Sequence, residues 1–245
     1  MLTIDLNADL GEHPGTQLDA QIMPYLSSCN VACGGHIGDE VSIRDTVRLA
    51  KQNGVAVGAH PSYPDVRNFG REILPMQPGD LAASISEQIS LVKRICEEEE
   101  VQLHHVKPHG ALYNQAASDR FISELFLKVM KEVAPGAFWM GLASSISEEV
   151  ARVSAFPFIA EGFADRQYEV DGTLRSRSKR GAVLKPAEVL LQVEEIVTNH
   201  RVNASSWLPL KVQSICLHSD TEGAVTLARE INEHLVSKGI QITAV

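Results

Sequence analysis

The chain has 245 residues, room for one large α/β domain or two small ones, and its 44% apolar and 22% charged content is that of a globular protein with a large core. Its formal net charge of -9 excludes the broad positive field that draws in nucleic-acid backbones or anionic membranes. The four cysteines (Cys29, Cys33, Cys96, Cys216) form no C-x-x-C pair, and "MLTIDLNADLGE" lacks the basic and apolar regions of a leader. With no apolar run long enough to cross a bilayer, these features point to a mature, soluble, cytoplasmic protein with structural cysteines, Cys33 being the least clearly so.

Seven short β-branched or apolar runs can be read as strands, most of them followed by a helical pattern. "LTIDLN" precedes a short helix near 19–26, and "SSCNVAC" precedes a helix over 38–53. "GVAVGAH" leads into a loop stiffened by Pro61 and Pro64. A helix over 79–98 follows, whose Leu81, Ile85, Ile89, Val92 and Cys96 recur at helical spacing on one face. "VQLHHVK" precedes a helix over 119–133, and "AFWMGLA" a short one over 145–153. "PFIAEGFA" is followed by a loop and then a helix that starts at Pro186, a residue suited to the first helical turn. "VQSICLH" precedes the last helix, over 221–238.

Regular β/α alternation implies a parallel sheet with right-handed crossovers, and no linker, repeat or low-complexity tract marks a second domain. An open sheet gathers ligands at one switch point, so only two or three of its strand ends should carry reactive groups. Here six of seven do: Asp5, Asn7 and Asp9; His36 and Asp39; His60 and Asp65; Lys107 and His109; Glu161 and Asp165; His218 and Asp220. That distribution suits a ring whose loops converge on one mouth, so the expected fold is a single-domain (β/α)7 barrel over residues 1–245.

Alternation along the first strand places Asp5, Asn7 and Asp9 on one side, inside the barrel near its mouth. Acids held together there suit a general base or a cation site, against the plainer reading that Asp9 and Glu12 cap the next turn; for Glu12 the two readings balance. Gly34 and Gly35 are expected to let backbone amides approach a ligand, and Asp39 to cap the helix after them. Arg71 is a candidate for gripping a carboxylate, unless it only braces its loop against Asp65. Of Arg175, Arg177, Lys179 and Arg180, at least half are expected on a solvated face. His36, His60, His109 and His218 with Asp9, Asp165 and Asp220 have the chemistry of a divalent-metal hydrolase, whereas His104, His200 and His234 read as structural or exposed. The chain has no G-x-x-x-x-G-K-[ST] phosphate loop, no G-x-G-x-x-G and no G-x-S-x-G elbow.

Six motifs, "DLNADLGE", "SCNVACGGHIGD", "GAHPSYPD", "VKPHGALYN", "FADRQYEVDG" and "ICLHSD", occur in order along the whole chain and together resemble the LamB/YcsF family. The chain departs from the family pattern at His218-Ser219-Asp220, where His-Gly-Asp is expected, and at Glu72, where many members carry a second arginine. The resemblance implies a (β/α)7 barrel similar to glycoside hydrolase and deacetylase barrels. It also implies ATP-dependent opening of 5-oxoproline (pyroglutamate) to L-glutamate with two partner subunits, B and C, one of which holds or shares the ATP site.

On that basis the expected catalytic residues are Asp9, Lys107, His109 and Asp165. Asp9 or Asp165 is the base toward water, and Lys107 and His109 stabilise charge growing on the oxygen. Asn7, Asn30, His36, Arg71, Tyr113, Asn114, Glu161, Arg166 and His218 are the expected substrate-binding residues, with Arg71, Asn114 or Arg166 holding the carboxylate. Two rival readings stand beside this one. The first is a metal-dependent amidase or carbohydrate deacetylase with Asp9, His60 and His109 as ligands of a divalent ion. The second is a non-catalytic scaffold subunit.

Overall fold

Strand β1 (Thr3–Leu10) sets the construction of the whole molecule: Leu6, Ala8 and Leu10 point outward into a layer of helices, while Asp5, Asn7 and Asp9 point inward. The computed structural model describes residues 2–177, 179–219 and 223–245. Asp220, expected at the end of the seventh barrel strand, lies outside the described residues, as do Thr221 and Glu222 at the expected start of the last helix.

After β1 come α1 (Gln17–Ile22), a single 3₁₀ turn (Met23–Tyr25), β2 (Ser28–Ala32), α2 (Glu40–Asn53), β3 (Ala56–His60), α3 (Pro78–Glu98) and β4 (Leu103–Val106). Next are α4 (Gly110–Ser118), α5 (Arg120–Val133), β5 (Phe138–Leu142), α6 (Ile146–Val153) and β6 (Phe158–Phe163). The chain ends with α7 (Pro186–Asn199), β7 (Arg201–Asn203), β8 (Trp207–Pro209), β9 (Ser214–Leu217), α8 (Ala224–Ser237) and β10 (Gln241–Ile242). Six strands, β1 to β6, run parallel in sequence order; β9 then pairs with β6 on one side and with β1 on the other, through Asp5↔Ser214 to Ala8↔Leu217. This closure makes the expected seven-stranded barrel. β10 extends the first residues of β1, and β7–β8 is a separate antiparallel hairpin.

The long helices form because they present one apolar stripe to the barrel. Ile43, Val47 and Ala50 of α2, and Leu81, Ile85, Ile89, Val92 and Cys96 of α3, are buried in one continuous cluster with the outward strand residues. Each such aliphatic side chain contributes roughly 1.5–3 kcal/mol over leaving it in water. Asp39 caps α2 as expected, its side chain accepting from Ser42 N while Ser42 Oγ accepts from Asp39 N. Gly54 closes that helix in the left-handed conformation.

Two other expectations come out differently. Gly35 serves packing rather than ligand approach: a Cβ there would lie 2.3 Å from Gln88 Oε1, which accepts from Ser62 N, while Gly34 N donates to the Ile37 carbonyl. Helix α4, absent from the sequence reading, begins directly after His109. Gly110 starts it at φ +55°, with Ala111 N donating to the Gly70 carbonyl, and a Cβ on Gly110 would lie 2.5 Å from that same oxygen.

Candidate active site

The inner faces of the strands carry polar groups from the base of the barrel to its mouth. At the base, Asp5 accepts from the hydroxyls of Ser27, Ser28 and Ser214, and burial pushes its carboxyl above the usual range despite these bonds. Asp5 is thus sealed well beneath the mouth where it was expected. One layer up, the amide of Asn7 donates to Glu161 Oε1 at 2.9 Å and to Ser214 Oγ at 2.8 Å. The amide of Asn30 donates to Asn7 Oδ1 and to Asp9 Oδ1, both at 2.8 Å, and its own oxygen accepts from His105 Nε2 at 2.7 Å.

Lys107 enters this network from the end of β4 and is 2% exposed. Its Nζ lies 2.8 Å from Glu161 Oε1, 3.1 Å from Asp9 Oδ1, 3.1 Å from Cys216 Sγ and 3.3 Å from Asn7 Oδ1. Burial would lower the lysine's pKa, but Asp9, Cys216 and Glu161 outweigh it and hold the ammonium well above its ordinary value. Asp9 is the reciprocal case. Burial opposes its charge, yet His60 and Lys107 hold the carboxyl well below the usual range, so it stays ionised. Tyr113 completes the layer by donating to Glu161 Oε2 at 2.8 Å.

On one wall of the mouth three histidines meet two carboxylates. His109 Nδ1 lies 2.9 Å from His60 Nε2, and the His36 ring stacks on His109 with centroids 3.8 Å apart. Glu12 Oε1 accepts from His36 Nε2 at 3.0 Å and lies 3.4 Å from His109 Nδ1, while Asp9 Oδ2 is 3.4 Å from His60 Nε2. The expected ligand set Asp9, His60 and His109 is therefore brought together, and Glu12 joins it. Glu12 sits here and caps no helix, because the left-handed Gly11 turns the chain back into the mouth, and it is Asp19 that accepts from Gly11 N. Burial holds His36 below, and His109 well below, the ordinary imidazole value.

The ends of β6 and β9 carry a carboxylate–imidazole pair. His218 Nδ1 donates to Asp165 at 2.9 and 3.2 Å, and its ring stacks beside Phe163. Burial would raise the Asp165 carboxyl, but His218, through charge and hydrogen bond, and then Arg166 hold it low. Between β6 and α7 the described residues fold back as a flap, tied by the antiparallel bridges Arg166↔Val183 and Tyr168↔Leu174. Its Thr173, Leu174, Ser176 and Arg177 line a cavity of about 560 Å³ above the barrel end. That volume suits a small molecule.

Asp9, Glu12, His60, Arg71, Lys107, His109, Tyr113, Asn114, Arg166 and His218 also line this cavity. Asn7, Asn30, His36, Glu161 and Asp165 are buried behind its wall, with their polar atoms engaged by the partners above. They orient the groups that do face the cavity. Arg166 donates to the carbonyls of Ala182 and Arg175, so it braces the flap. Arg71 lies against the Phe69 ring at 4.9 Å, while Asp65 accepts from the Asn68 backbone and amide. Of the basic run, Arg175 and Lys179 pair with Glu169 at the surface, whereas Arg177 reaches the cavity. Sequence reasoning missed the cavity role of Arg177. It also missed Ser219, whose hydroxyl donates to the Asp9 carbonyl at 2.6 Å. Burial pushes all four thiols up, Cys96 to about 12, so none is a nucleophile at neutral pH.

Comparison with known proteins gives one consistent result. The model of the LamB/YcsF family matches residues 4–245. The A subunit of 5-oxoprolinase from Chloroflexus aurantiacus is 44% identical over 250 aligned residues, covering 100% of this chain and 99% of that protein. The crystal structure of a lactam utilization protein from Thermus thermophilus is 35% identical with a TM-score of 0.92, covering 100% of both chains. A GH113 β-1,4-mannanase, with a TM-score of 0.52 at 14% identity over 97% of this chain and 100% of that one, shares the barrel fold alone. So does a T48 deacetylase with a TM-score of 0.50 at 12% identity, over 99% and 87%.

Proposed function

We propose that this chain, which belongs to the LamB/YcsF family, is the A component of an ATP-dependent 5-oxoprolinase, a hydrolase that opens the lactam of 5-oxo-L-proline to L-glutamate. It works in the cytoplasm with two partner subunits, B and C, and residues 1–245 act as one barrel domain. No helix among the described residues is long and apolar enough to cross a membrane. ATP is the co-substrate. Because the sequence carries no phosphate-loop motif, the nucleotide site is on a partner or shared with one.

A lactam carbonyl is a weak electrophile, so ATP phosphorylates the amide oxygen and ADP leaves. Water then adds to the ring carbon, the C–N bond breaks with the nitrogen leaving as an amine, and a second water hydrolyses the remaining acyl phosphate to glutamate and phosphate. The observation that carries the site reading is that His218, oriented by Asp165 behind the wall, lines the same small-molecule cavity as Lys107. Asp165 fixes the Nδ1–H tautomer of His218, which leaves Nε2 as the basic atom. His218 Nε2 takes the proton from water and returns it to the departing nitrogen. Asp165, engaged by His218, and Asp9, held well below the usual carboxylate range, are poor bases by comparison.

The Lys107 protons face Asp9, Glu161, Asn7 and Cys216, so it acts through its fixed charge beneath the reacting oxygen rather than as a hydrogen-bond donor to it. Arg71 and Arg177 bring positive charge to the cavity rim for the substrate carboxylate, and Asn114 offers a neutral donor beside them. A purely organising protein has no need of a buried ammonium and an oriented imidazole at one mouth.

With the three subunits reconstituted, His218→Asn lowers kcat about 10²- to 10⁴-fold at nearly constant KM. Unchanged turnover in a variant that still assembles refutes the role of His218.

A further inference from the structure

We infer that Asp9, Glu12, His60 and His109 form a site for one divalent transition-metal ion of the zinc, cobalt or manganese class at the edge of the mouth. His60 Nδ1 lies 2.8 Å from the Lys107 carbonyl, and His109 Nε2 lies 2.9 Å from the Phe69 carbonyl. A carbonyl oxygen only accepts, so each of these nitrogens carries a hydrogen. In neutral rings the remaining nitrogens, His60 Nε2 and His109 Nδ1, then both present lone pairs, and they face each other at 2.9 Å. Two lone pairs so close repel unless a cation lies between them.

Two anionic oxygens approach the same point, each 3.4 Å from one of these nitrogens: Asp9 Oδ2 from His60 and Glu12 Oε1 from His109. The four ligand atoms all lie within 4.8 Å of one another. Bonds of about 2.0–2.1 Å to nitrogen and oxygen place neighbouring ligands about 3 Å apart, close to the separations found here. The surroundings are those of metal-bound histidines, whose other ring N–H donates to a backbone carbonyl or carboxylate. His36 holds Glu12 from behind in the same way.

Charge points in the same direction. Asp9, Glu12 and Glu161 set three carboxylates against the single ammonium of Lys107, and a divalent ion neutralises the remainder. The neighbouring trio Asp9, Cys216 and His218 also has ligand spacing, but there Lys107 Nζ, 3.1 Å from both Cys216 Sγ and Asp9 Oδ1, already supplies the cation. When bound, the ion supplies a Lewis acid for a carbonyl or phosphoryl oxygen entering the cavity.

The inference rests on the histidine and carboxylate geometry, independently of the lactam-opening reading, and its test contains no lactam, nucleotide or partner. The full chain, stripped with a chelator and dialysed, is titrated with Co(II) and then Zn(II) by calorimetry and visible absorption. One equivalent of Co(II) is expected, with ligand-field bands that Zn(II) abolishes. His60→Asn and Glu12→Gln each weaken binding at least about tenfold, while the surface variant His234→Asn leaves it unchanged. Absence of stoichiometric binding and of ligand-field bands in the unmodified chain overturns the inference, whatever the folding state of the variants. So does binding that survives in folded His60→Asn and Glu12→Gln, or that is lost in His234→Asn. Glutamate formation is measured separately, so either reading can fail while the other stands.

Discussion

Replacing Lys107 with methionine removes the ammonium while keeping the side chain's length and most of its volume. The carboxylates it neutralises stay in place: Glu161 Oε1 at 2.8 Å and Asp9 Oδ1 at 3.1 Å, both buried. Losing one partner of a buried ion pair costs about 3–5 kcal/mol, because the other charge is left uncompensated away from water. A domain of ordinary stability, about 5–15 kcal/mol, survives such a loss but unfolds at markedly lower denaturant. Lys107 is held above its ordinary pKa, so its contribution is complete below the unfolded lysine value and is lost as pH rises through the folded one. The gap between wild type and Lys107→Met is therefore constant from neutral pH to about pH 10. Adding Glu161→Gln to Lys107→Met removes one stranded charge and recovers about 1–2 kcal/mol. Urea unfolding followed by circular dichroism measures wild type, Lys107→Met, Glu161→Gln and the double variant. A single-variant loss below about 1 kcal/mol, or strictly additive losses in the double variant, refutes the claim that Lys107 neutralises these carboxylates.

Gly110→Ala is expected to cost at least about 1–3 kcal/mol and to lower turnover as well, because its positive φ and the Gly70 carbonyl 2.5 Å from the added Cβ force His109 to move. A melting curve superimposing on the wild type's contradicts this. The Glu99 carboxyl, held down to about 2 by Arg48 and Arg44 from α2, is expected to show that midpoint when followed by carboxyl NMR, its contribution being present above the unfolded glutamate value and lost as pH falls through about 2. A midpoint at the ordinary value shows that these pairs do not form in solution. The four buried thiols stay unreactive toward an alkylating reagent at pH 7 until denaturant is added, and a fast-labelling cysteine in the native chain counts against the burial described here.

The barrel was legible because its signals are local. Each strand run and each apolar helix stripe lies within some twenty consecutive residues, and the reactive strand ends follow directly from the alternation. Helix α4 was not legible, since "GALYNQAAS" has small and polar residues instead of a stripe and is nucleated by the Gly70 carbonyl far along the chain. The roles inside the mouth were legible only as residue types. Asp165 and His218 are 53 positions apart, and only closure of β9 onto β6 shows that the carboxylate orients the imidazole. Asn7 was expected near the mouth because strand alternation gives the side of the barrel but not the depth along it. Glu12 stood undecided between cap and site because the turn at Gly11, not the spacing, determines where it points.

The most direct test is glutamate release from 5-oxoproline and ATP by this chain together with the purified B and C subunits proposed as its partners, each of the three omitted in turn. The account predicts ATP-dependent glutamate formation with all three, and loss of that product when this chain is left out or supplied as His218→Asn. Undiminished glutamate formation without this chain contradicts it.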